Sequence, residues 1–308
     1  FLVVGYLIAT NLSRLGAVAY ALGEYAQAHE YYRQSLMMSE EQGRKDGSAA
    51  NLGGLGEVAH VLGEYAQAHE YFKRALVIFE ELGYKDGIAV NLSRLGIVAH
   101  ALGEFAAAYE YFQHALAVNE QLGRKDGIAT NMSRLGELSY RMDEYVQAKA
   151  YYQRALAIEE ELEHKAGIAT NLSGLGRVSS AMSEYVQARE YFRRSMEMNE
   201  ELGSKAGITA NLGYLGDVAL ALDEHIHARE YYLRALAMSE ELGRQDGAAV
   251  NLTKLGKVAY ALGEHEQARK YFQHALSIEE ELKRMDEVAA NLINLGNVAH
   301  ARTCRQRI

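Results

Sequence analysis

Asn91-Leu-Ser-Arg-Leu-Gly96 decides the fold, because the chain keeps repeating it. The phrase returns as Asn11-Leu-Ser-Arg-Leu-Gly16, Asn51-Leu-Gly-Gly-Leu-Gly56, Asn131-Met-Ser-Arg-Leu-Gly136 and Asn171-Leu-Ser-Gly-Leu-Gly176. It continues as Asn211-Leu-Gly-Tyr-Leu-Gly216, Asn251-Leu-Thr-Lys-Leu-Gly256 and Asn291-Leu-Ile-Asn-Leu-Gly296. The spacing is 40 residues each time, without insertion or deletion. A fixed period in this range marks a solenoid, in which each unit is one supersecondary element that buries its apolar face against its neighbours.

Working outward from Asn91, the residues Ile88, Leu92, Leu95, Ala99 and Leu102 recur at steps of four, three, four and three. That spacing puts them on one stripe of a helix. Asp86 precedes the run and is expected to cap it, its carboxylate accepting from the free N–H groups of the first turn. Gly103-Glu104 makes a tight turn. A second helix is predicted over 105–122, with Ala108, Phe112, Ala115 and Leu116 facing inward and Gly123 ending it in a left-handed conformation. The loop Arg124-Lys-Asp-Gly127 leads on, with Asp126 repeating the part of Asp86. Glu163 and Lys283 replace the terminating Gly, Ala166 and Ala206 the capping Asp, and Asp143, Ser183 and Asp223 the turn Gly, so these junctions are expected to be less tightly specified.

The fold class is therefore all-α, an α-solenoid of stacked antiparallel helix pairs. Residues 1–308 read as a single repeat domain of seven full units (11–290) and a partial eighth (291–308). Ile8-Ala-Thr10 already matches Ile128-Ala-Thr130, whereas 1–7 match nothing and are expected to be the tail of a preceding element or an apolar cap. The chain does not begin with Met and stops one helix into a repeat, which reads as a piece of a longer protein. The basic stretch Arg302-Thr-Cys-Arg-Gln-Arg-Ile308 stands where a turn and helix are due, either as a polar cap or as an artificial end.

With 49% hydrophobic and 24% charged residues, no Pro, no Trp and 28 Gly, the composition is that of ordered helices punctuated by glycine. The formal charge of −9 argues against a nucleic-acid partner, which needs clustered Lys and Arg, and is compatible with a cationic or mixed-charge one. No apolar run approaches the roughly 18 residues of a membrane span. The lone Cys304 cannot form an internal disulfide, and the setting expected is reducing and cytoplasmic.

The unit resembles the tetratricopeptide repeat on Leu95-Gly96, Ala108, Phe112 and Ala115, with equivalents such as Ala28, Tyr32 and Ser35, or Ala268, Phe272 and Ala275. Gly inside a helix costs about 1 kcal/mol relative to Ala, so its recurrence implies a close helix approach, expected between Gly96 and Ala108. Three departures stand out. The family's early Trp is Leu92 or Met132 here, its Tyr after Leu-Gly is Ala99 or Ser139, and its closing Pro is absent. The 40-residue period looks like the variant in Pins-type polarity scaffolds, kinesin light chains and the sensor arms of bacterial signal-transduction ATPases. The resemblance implies a right-handed superhelix whose first helices line a concave groove.

The helical wheel then selects the groove residues two, three, six, nine and ten places beyond each Asn. One row holds Arg14, Gly54, Arg94, Arg134, Gly174, Tyr214, Lys254 and Asn294. A second holds Ala17, Glu57, Ile97, Glu137, Arg177, Asp217, Lys257 and Asn297, and a third Tyr20, His60, His100, Tyr140, Ser180, Leu220, Tyr260 and His300. These rows vary while the core positions do not, as a binding scaffold requires, although drift on a solvated surface gives the same pattern. Aromatics and arginines on a rigid surface favour binding. The family's carboxylate clamp is not recognisable, since Ser or Gly occupies the row of its first Lys. Asn91, Asn131, Asn171, Asn211 and their equivalents form a ladder at the groove edge; Asn is a poor helix-interior residue. The ladder either bridges neighbouring repeats or holds the backbone of an extended peptide.

Lys45, Lys85, Lys125, Lys165 and Lys205 make a second ladder, read as cations at acidic helix ends where the dipole favours them, with phosphate tracking as the alternative. His225 and His227 do not share a helix face, so no metal is expected. Glu70 with Arg74, and Glu190 with Arg194, are expected as exposed pairs within one helix. No nucleophile-and-base motif, glycine-rich phosphate loop or H-E-x-x-H occurs. The functional expectation is a non-enzymatic interaction scaffold, without cofactor, that holds a protein or peptide segment in its groove. The alternative is a ligand-responsive sensor arm of a larger signal-transduction ATPase or transcription regulator.

Overall fold

The strict period becomes a strict alternation of helices, and a computed structural model of the chain describes residues 2–305. The first-helix series is α1 (Leu2–Ala21), α3 (Lys45–Val61), α5 (Lys85–Ala101), α7 (Lys125–Arg141), α9 (Lys165–Ala181), α11 (Lys205–Ala221), α13 (Gln245–Ala261) and α15 (Met285–Arg305). Between them run α2 (Tyr25–Glu41), α4 (Tyr65–Leu82), α6 (Phe105–Leu122), α8 (Tyr145–Glu161), α10 (Tyr185–Glu201), α12 (His225–Glu241) and α14 (His265–Glu281). No strand occurs among the described residues. None of these helices is long and apolar enough to cross a membrane. The helices group into two units, Phe1–Ile158 and Glu159–Ile308.

Helix ends follow one device. Gly103 has φ 78°, its N–H bonds the carbonyl of His100 at 3.0 Å, and the N–H of Glu104 reaches back to Ala99 at 2.9 Å. This is the Schellman arrangement, which satisfies carbonyls the helix leaves free. Gly123, φ 67°, does the same for α6. Where Gly is replaced the backbone does not relax: Asp143, Glu163, Ser183, Asp223 and Lys283 all keep φ between 53° and 62°. The junctions are as sharply specified as the others, at the cost of a left-handed non-glycine residue.

Helix starts differ from expectation. Asp86 is not a cap: α5 opens after Tyr84 without a side-chain capping bond, and Asp86 lies inside the first turn, ion-paired with Arg124. Its contribution is a carboxylate at the positive end of the helix dipole, which Ala166 and Ala206 forgo. Before α11, Ser204 does cap, accepting from the N–H of Gly207 at 3.3 Å.

Packing rests on the recurring Leu-Gly. A Cβ on Gly96 would lie 2.7 Å from the ring of Phe112, so the close approach is to the aromatic and not to Ala108. Gly56 with Phe72, Gly176 with Phe192 and Gly256 with Phe272 repeat the contact. Ala99, Ala108 and Phe112 then pack on Leu135 and Leu138 of the following repeat in the first unit, and Ala219, Ala228 and Tyr232 on Leu255 and Val258 in the second. Val98 is fully buried beside the expected stripe, whereas Leu102 is 44% exposed because α5 has ended and the turn carries its side chain outward. Ile88 and Leu116 are half-buried.

At the start, Leu2 to Leu7 are helical and continuous with the rest of α1. At the end, α15 continues to Arg305, through the position equivalent to the turn at Gly103. The polar-cap reading of the tail side chains beyond Ala301, the thiol of Cys304, and Phe1 lie outside the described residues.

Candidate functional site

The first two variable rows of the first helices meet at the aromatic that the Leu-Gly glycine admits. In the first unit Arg94 is 5.6 Å above the ring of Phe72 and ion-paired with Glu57. The pairing runs 37 residues back, one period less three, so it joins the first row of one repeat to the second row of the preceding one. Gly54 occupies the equivalent place above Tyr32, where a Cβ would be 2.6 Å from the ring. Arg134 occupies it one repeat further on, but the residue 37 positions back is Ile97. Arg134 is consequently exposed and has no ion-pair or hydrogen-bond partner among the described residues. Glu137 bonds Arg141 at 2.9 Å and accepts from the hydroxyl of Tyr152 at 3.1 Å.

The same geometry recurs inside the second unit. Lys254 Nζ lies 2.7 Å from Asp217 and 5.5 Å from the ring centroid of Tyr232, whose hydroxyl donates to Asp217 at 2.7 Å. Burial, then the Asp217 charge, pushes the Tyr232 phenol far above its ordinary value, so it stays a donor. Tyr214 stacks on Phe192 with centroids 4.9 Å apart and planes 21° off parallel. Arg177 is half-buried, and Lys257 is exposed.

The third row is anchored to the helix that follows it. His100 lies 5.7 Å from Phe105, Tyr140 5.8 Å from Tyr145, and Tyr260 5.5 Å from His265, each pair bridging a turn. His100 is less basic than usual because burial, and next the positive charge of Arg141, oppose its protonation.

The asparagines separate from the rows beside them. Asn91, Asn131, Asn171 and Asn211 are each at most 1% exposed, and their Nδ2 groups donate to Gly87, Gly127, Gly167 and Gly207 one turn earlier. Asn211 also bonds Ser195 at 3.0 Å on the preceding helix, and Asn131 accepts from Ser93 at 3.0 Å in the preceding repeat. Asn131 and Asn211 thus bridge neighbouring repeats, whereas the bond of Asn91 stays within its own helix; all four lie beneath the exposed face rather than on it. Oδ1 of Asn91 and of Asn211 has no partner among the described residues.

The lysines are also tied across repeats. Lys45 bonds Glu81 at 2.9 Å, Lys165 bonds Glu201 at 2.7 Å and Lys205 bonds Glu241 at 2.6 Å, each reaching forward to an acidic helix end one repeat on. Lys85 meets Gln121 there at 3.1 Å. Arg74 and Arg194 leave their expected partners one turn away and reach Glu40 and Glu160 in the preceding repeat, at 3.4 and 3.3 Å. His227 contacts Glu224, and no group of three metal-ligating side chains occurs among the described residues.

Sequence reasoning missed the cross-repeat pairing and a pocket of about 190 Å³ where α3, the end of α4 and the start of α5 meet. The pairing carried a signal, since opposite charges recur at one period less three. The pocket's signal was three departures from the repeat, at Gly53, Phe79 and Tyr84.

Comparison with known proteins adds the family. No curated protein matches the chain by sequence. Among solved structures, the apo form of RapI superposes with a TM-score of 0.71 at 17% identity, over 90% of this chain and 99% of that one. A Rap protein complexed with Competence and Sporulation Factor gives 0.62 at 18% identity, over 91% and 77%. The STAND protein with a tetratricopeptide repeat sensor from Pyrococcus horikoshii gives 0.66 at 15%, over 88% of this chain and 42% of that one. At these identities the likeness is one of fold. The family model described as "Tetratricopeptide repeat" matches residues 7–81, 47–121, 87–161, 127–201 and 205–281. A Leu-Gly closed on an aromatic in repeat after repeat, and a family model that covers nearly the whole chain, make this protein a member of the tetratricopeptide repeat family.

Proposed function

We propose that the exposed face of the first helices binds a protein or peptide partner, and that the chain is a non-enzymatic interaction module working in the cytoplasm without metal or cofactor. The observation that carries this reading is the division of labour within each repeat. In the interior repeats Leu, Gly and Asn are buried and nearly constant, whereas the residues beside them are more accessible, variable, and rich in Arg, Lys and Tyr. In the first unit Arg94, Arg134, Glu137, His100 and Tyr140 are the contact set, and Arg134 brings a cation with no partner of its own among the described residues. In the second unit Arg177, Tyr214, Asp217, Lys254, Lys257 and Tyr260 are the contact set. The solved Rap protein complexed with Competence and Sporulation Factor supports a ligand-binding use of the fold.

The test is a pull-down and peptide array that compares wild type with Arg134→Ala/Tyr140→Ala, which removes the exposed Arg134 and the half-buried Tyr140 and spares the fully buried core. Loss of specific partners is expected; recovery of the same set by both proteins would refute the groove. A sensor arm is the second reading, favoured by the solved STAND protein with its tetratricopeptide repeat sensor. Hydrogen exchange separates the two. A scaffold gains protection along the contact face alone, and a sensor also changes exchange in α4, α6 and α12 on the other side of the hairpins.

A further inference from the structure

Three departures from the repeat meet at one place in the first unit. Gly53 stands where Ser93 and Ser133 carry hydroxyls, Phe79 where Ser39, Asn119 and Ser239 are polar, and Tyr84 where Arg44, Arg124 and Arg244 are charged. Together with Val90, Asn91 and Arg94 they line the pocket of about 190 Å³. The rings of Phe79 and Tyr84 lie 5.7 Å apart at 41° and form its aromatic wall. Gly87 makes room for that wall, because a Cβ there would be 2.5 Å from the Phe79 ring.

The missing hydroxyl has a measurable counterpart. In the next repeat Ser93 donates to Oδ1 of Asn131 at 3.0 Å, and in the second unit Thr253 donates to Oδ1 of Asn291 at 3.1 Å. Gly53 has nothing to donate, and Oδ1 of Asn91 is buried without a partner; Oδ1 of Asn51 and of Asn211 shares that state, and Asn91 is the one that lines this pocket. A buried acceptor left unsatisfied is destabilising, and a donor that reaches it is correspondingly favoured. Arg94 lies at the rim, its Nη1 3.0 Å from where a Cβ on Gly53 would sit, and Glu57 holds it from the far side. The space exceeds the cavity of about 150 Å³ that takes a benzene ring. Its chemistry asks for a ring that carries a hydroxyl.

We propose that this pocket receives a tyrosine side chain of the partner, its ring against Phe79 and Tyr84 and its hydroxyl supplied to Asn91 Oδ1, and that it thereby fixes the partner's register on the first unit. The inference rests on the binding reading above and names its anchor. Arg94 and the charged rows then read what flanks the tyrosine.

The experiment uses p-cresol, the side-chain analogue of tyrosine, and toluene as the ring without the hydroxyl, titrated into the full chain and followed by amide shifts at Gly53, Gly87 and Val90. Saturable p-cresol binding, about fivefold tighter than toluene as one net hydrogen bond implies, is expected for wild type. Gly53→Ser restores the hydroxyl and fills the pocket, and Phe79→Ser removes its wall. Both are residues that other repeats carry at these positions, so folding is preserved, and both abolish the response. Non-saturable shifts, equal affinity for toluene, or binding retained in either variant would overturn the proposal. Should Arg134→Ala/Tyr140→Ala leave partner recovery unchanged while p-cresol still saturates, the groove fails and the pocket stands; the reverse outcome removes the pocket alone.

Discussion

Two glycines three residues apart on α11 should respond in opposite directions to the same change. Gly213 has no heavy atom within 4 Å of an added Cβ, so Gly213→Ala gains helix propensity and is expected to stabilise the second unit by about 1 kcal/mol. At Gly216 the added Cβ runs into Cε1 of Tyr232 and comes within 2.7 and 2.8 Å of two more ring atoms. That ring cannot swing away, since Tyr232 is 0% exposed and its hydroxyl is tied to Asp217 at 2.7 Å. Overpacking of this kind costs about 1–3 kcal/mol, and less favourably here because a hydrogen bond resists the shift. After the propensity gain of about 1 kcal/mol, Gly216→Ala should still destabilise by about 1–2 kcal/mol. The two variants therefore differ by about 2–3 kcal/mol. Urea unfolding followed by circular dichroism gives the global values, and hydrogen exchange of α11 and α12 localises them, which matters because repeat arrays unfold in stages. A smaller ring partner should relieve the clash, so Gly216→Ala with Tyr232→Leu is expected to cost less than the sum of the single changes. Gly216→Ala as stabilising as Gly213→Ala would refute the Leu-Gly account of the packing.

Three further outcomes follow from the same contacts. Lys283→Gly and Glu163→Gly should each raise stability by about 1 kcal/mol, because both residues hold a left-handed backbone at φ 57° and 53°; unchanged melting temperatures would count against strain there. Glu279 is 1% exposed, and burial lifts its carboxyl above the ordinary range, against the pull of Arg284. The folded state thus keeps a proton that the unfolded chain has released, and stability falls as pH rises from the ordinary glutamate value through the raised one. Glu279→Gln should flatten that slope and stabilise the chain at neutral pH, and an unaltered slope in urea titrations at several pH values would exclude the assignment. Ser93→Ala strips Asn131 Oδ1 of its donor across repeats, with an expected loss of about 1–3 kcal/mol read as faster exchange in α5 and α7; a neutral effect would show that water replaces the hydroxyl.

The period made helices and turns legible because it allows no insertion, so every Gly at 103 or 123 falls on the same backbone bend. What spacing could not supply was the opposing partner. Spacing pairs Gly96 with Ala108, the other small residue of the hairpin, yet the approach serves Phe112, whose ring needs the missing Cβ to lie flat. Asp86 looked like a cap because capping residues precede apolar runs, but the Schellman turn at Gly123 ends the helix so tightly that the next one starts at Lys125, before the equivalent Asp126. The intrahelical pairs failed for a similar reason. Arg74 finds Glu40 on the neighbouring helix, where two second helices lie side by side, and a sequence read one helix at a time does not see that neighbour. Asn91 was legible as unusual but not as buried, since polarity suggested surface and the carbonyl of Gly87 instead holds it inside.

The ladders that tie Lys45 to Glu81, Lys205 to Glu241 and Arg94 to Glu57 all reach forward or back by a single repeat and never further. The lysine ladder carries the same residue types at the same phase in most repeats, so the joint left by excising a whole repeat presents there the groups that an intact joint would, whereas a pair such as Arg94 with Glu57 is particular to its own joint. Length is therefore a loosely constrained trait in this architecture. Copies of the gene could gain or lose 40-residue blocks through unequal crossing-over and still encode a folded product. Each such event would insert or remove one complete rung of side chains from the variable face, and under the proposed binding role recognition would change in whole steps where point substitution changes it residue by residue.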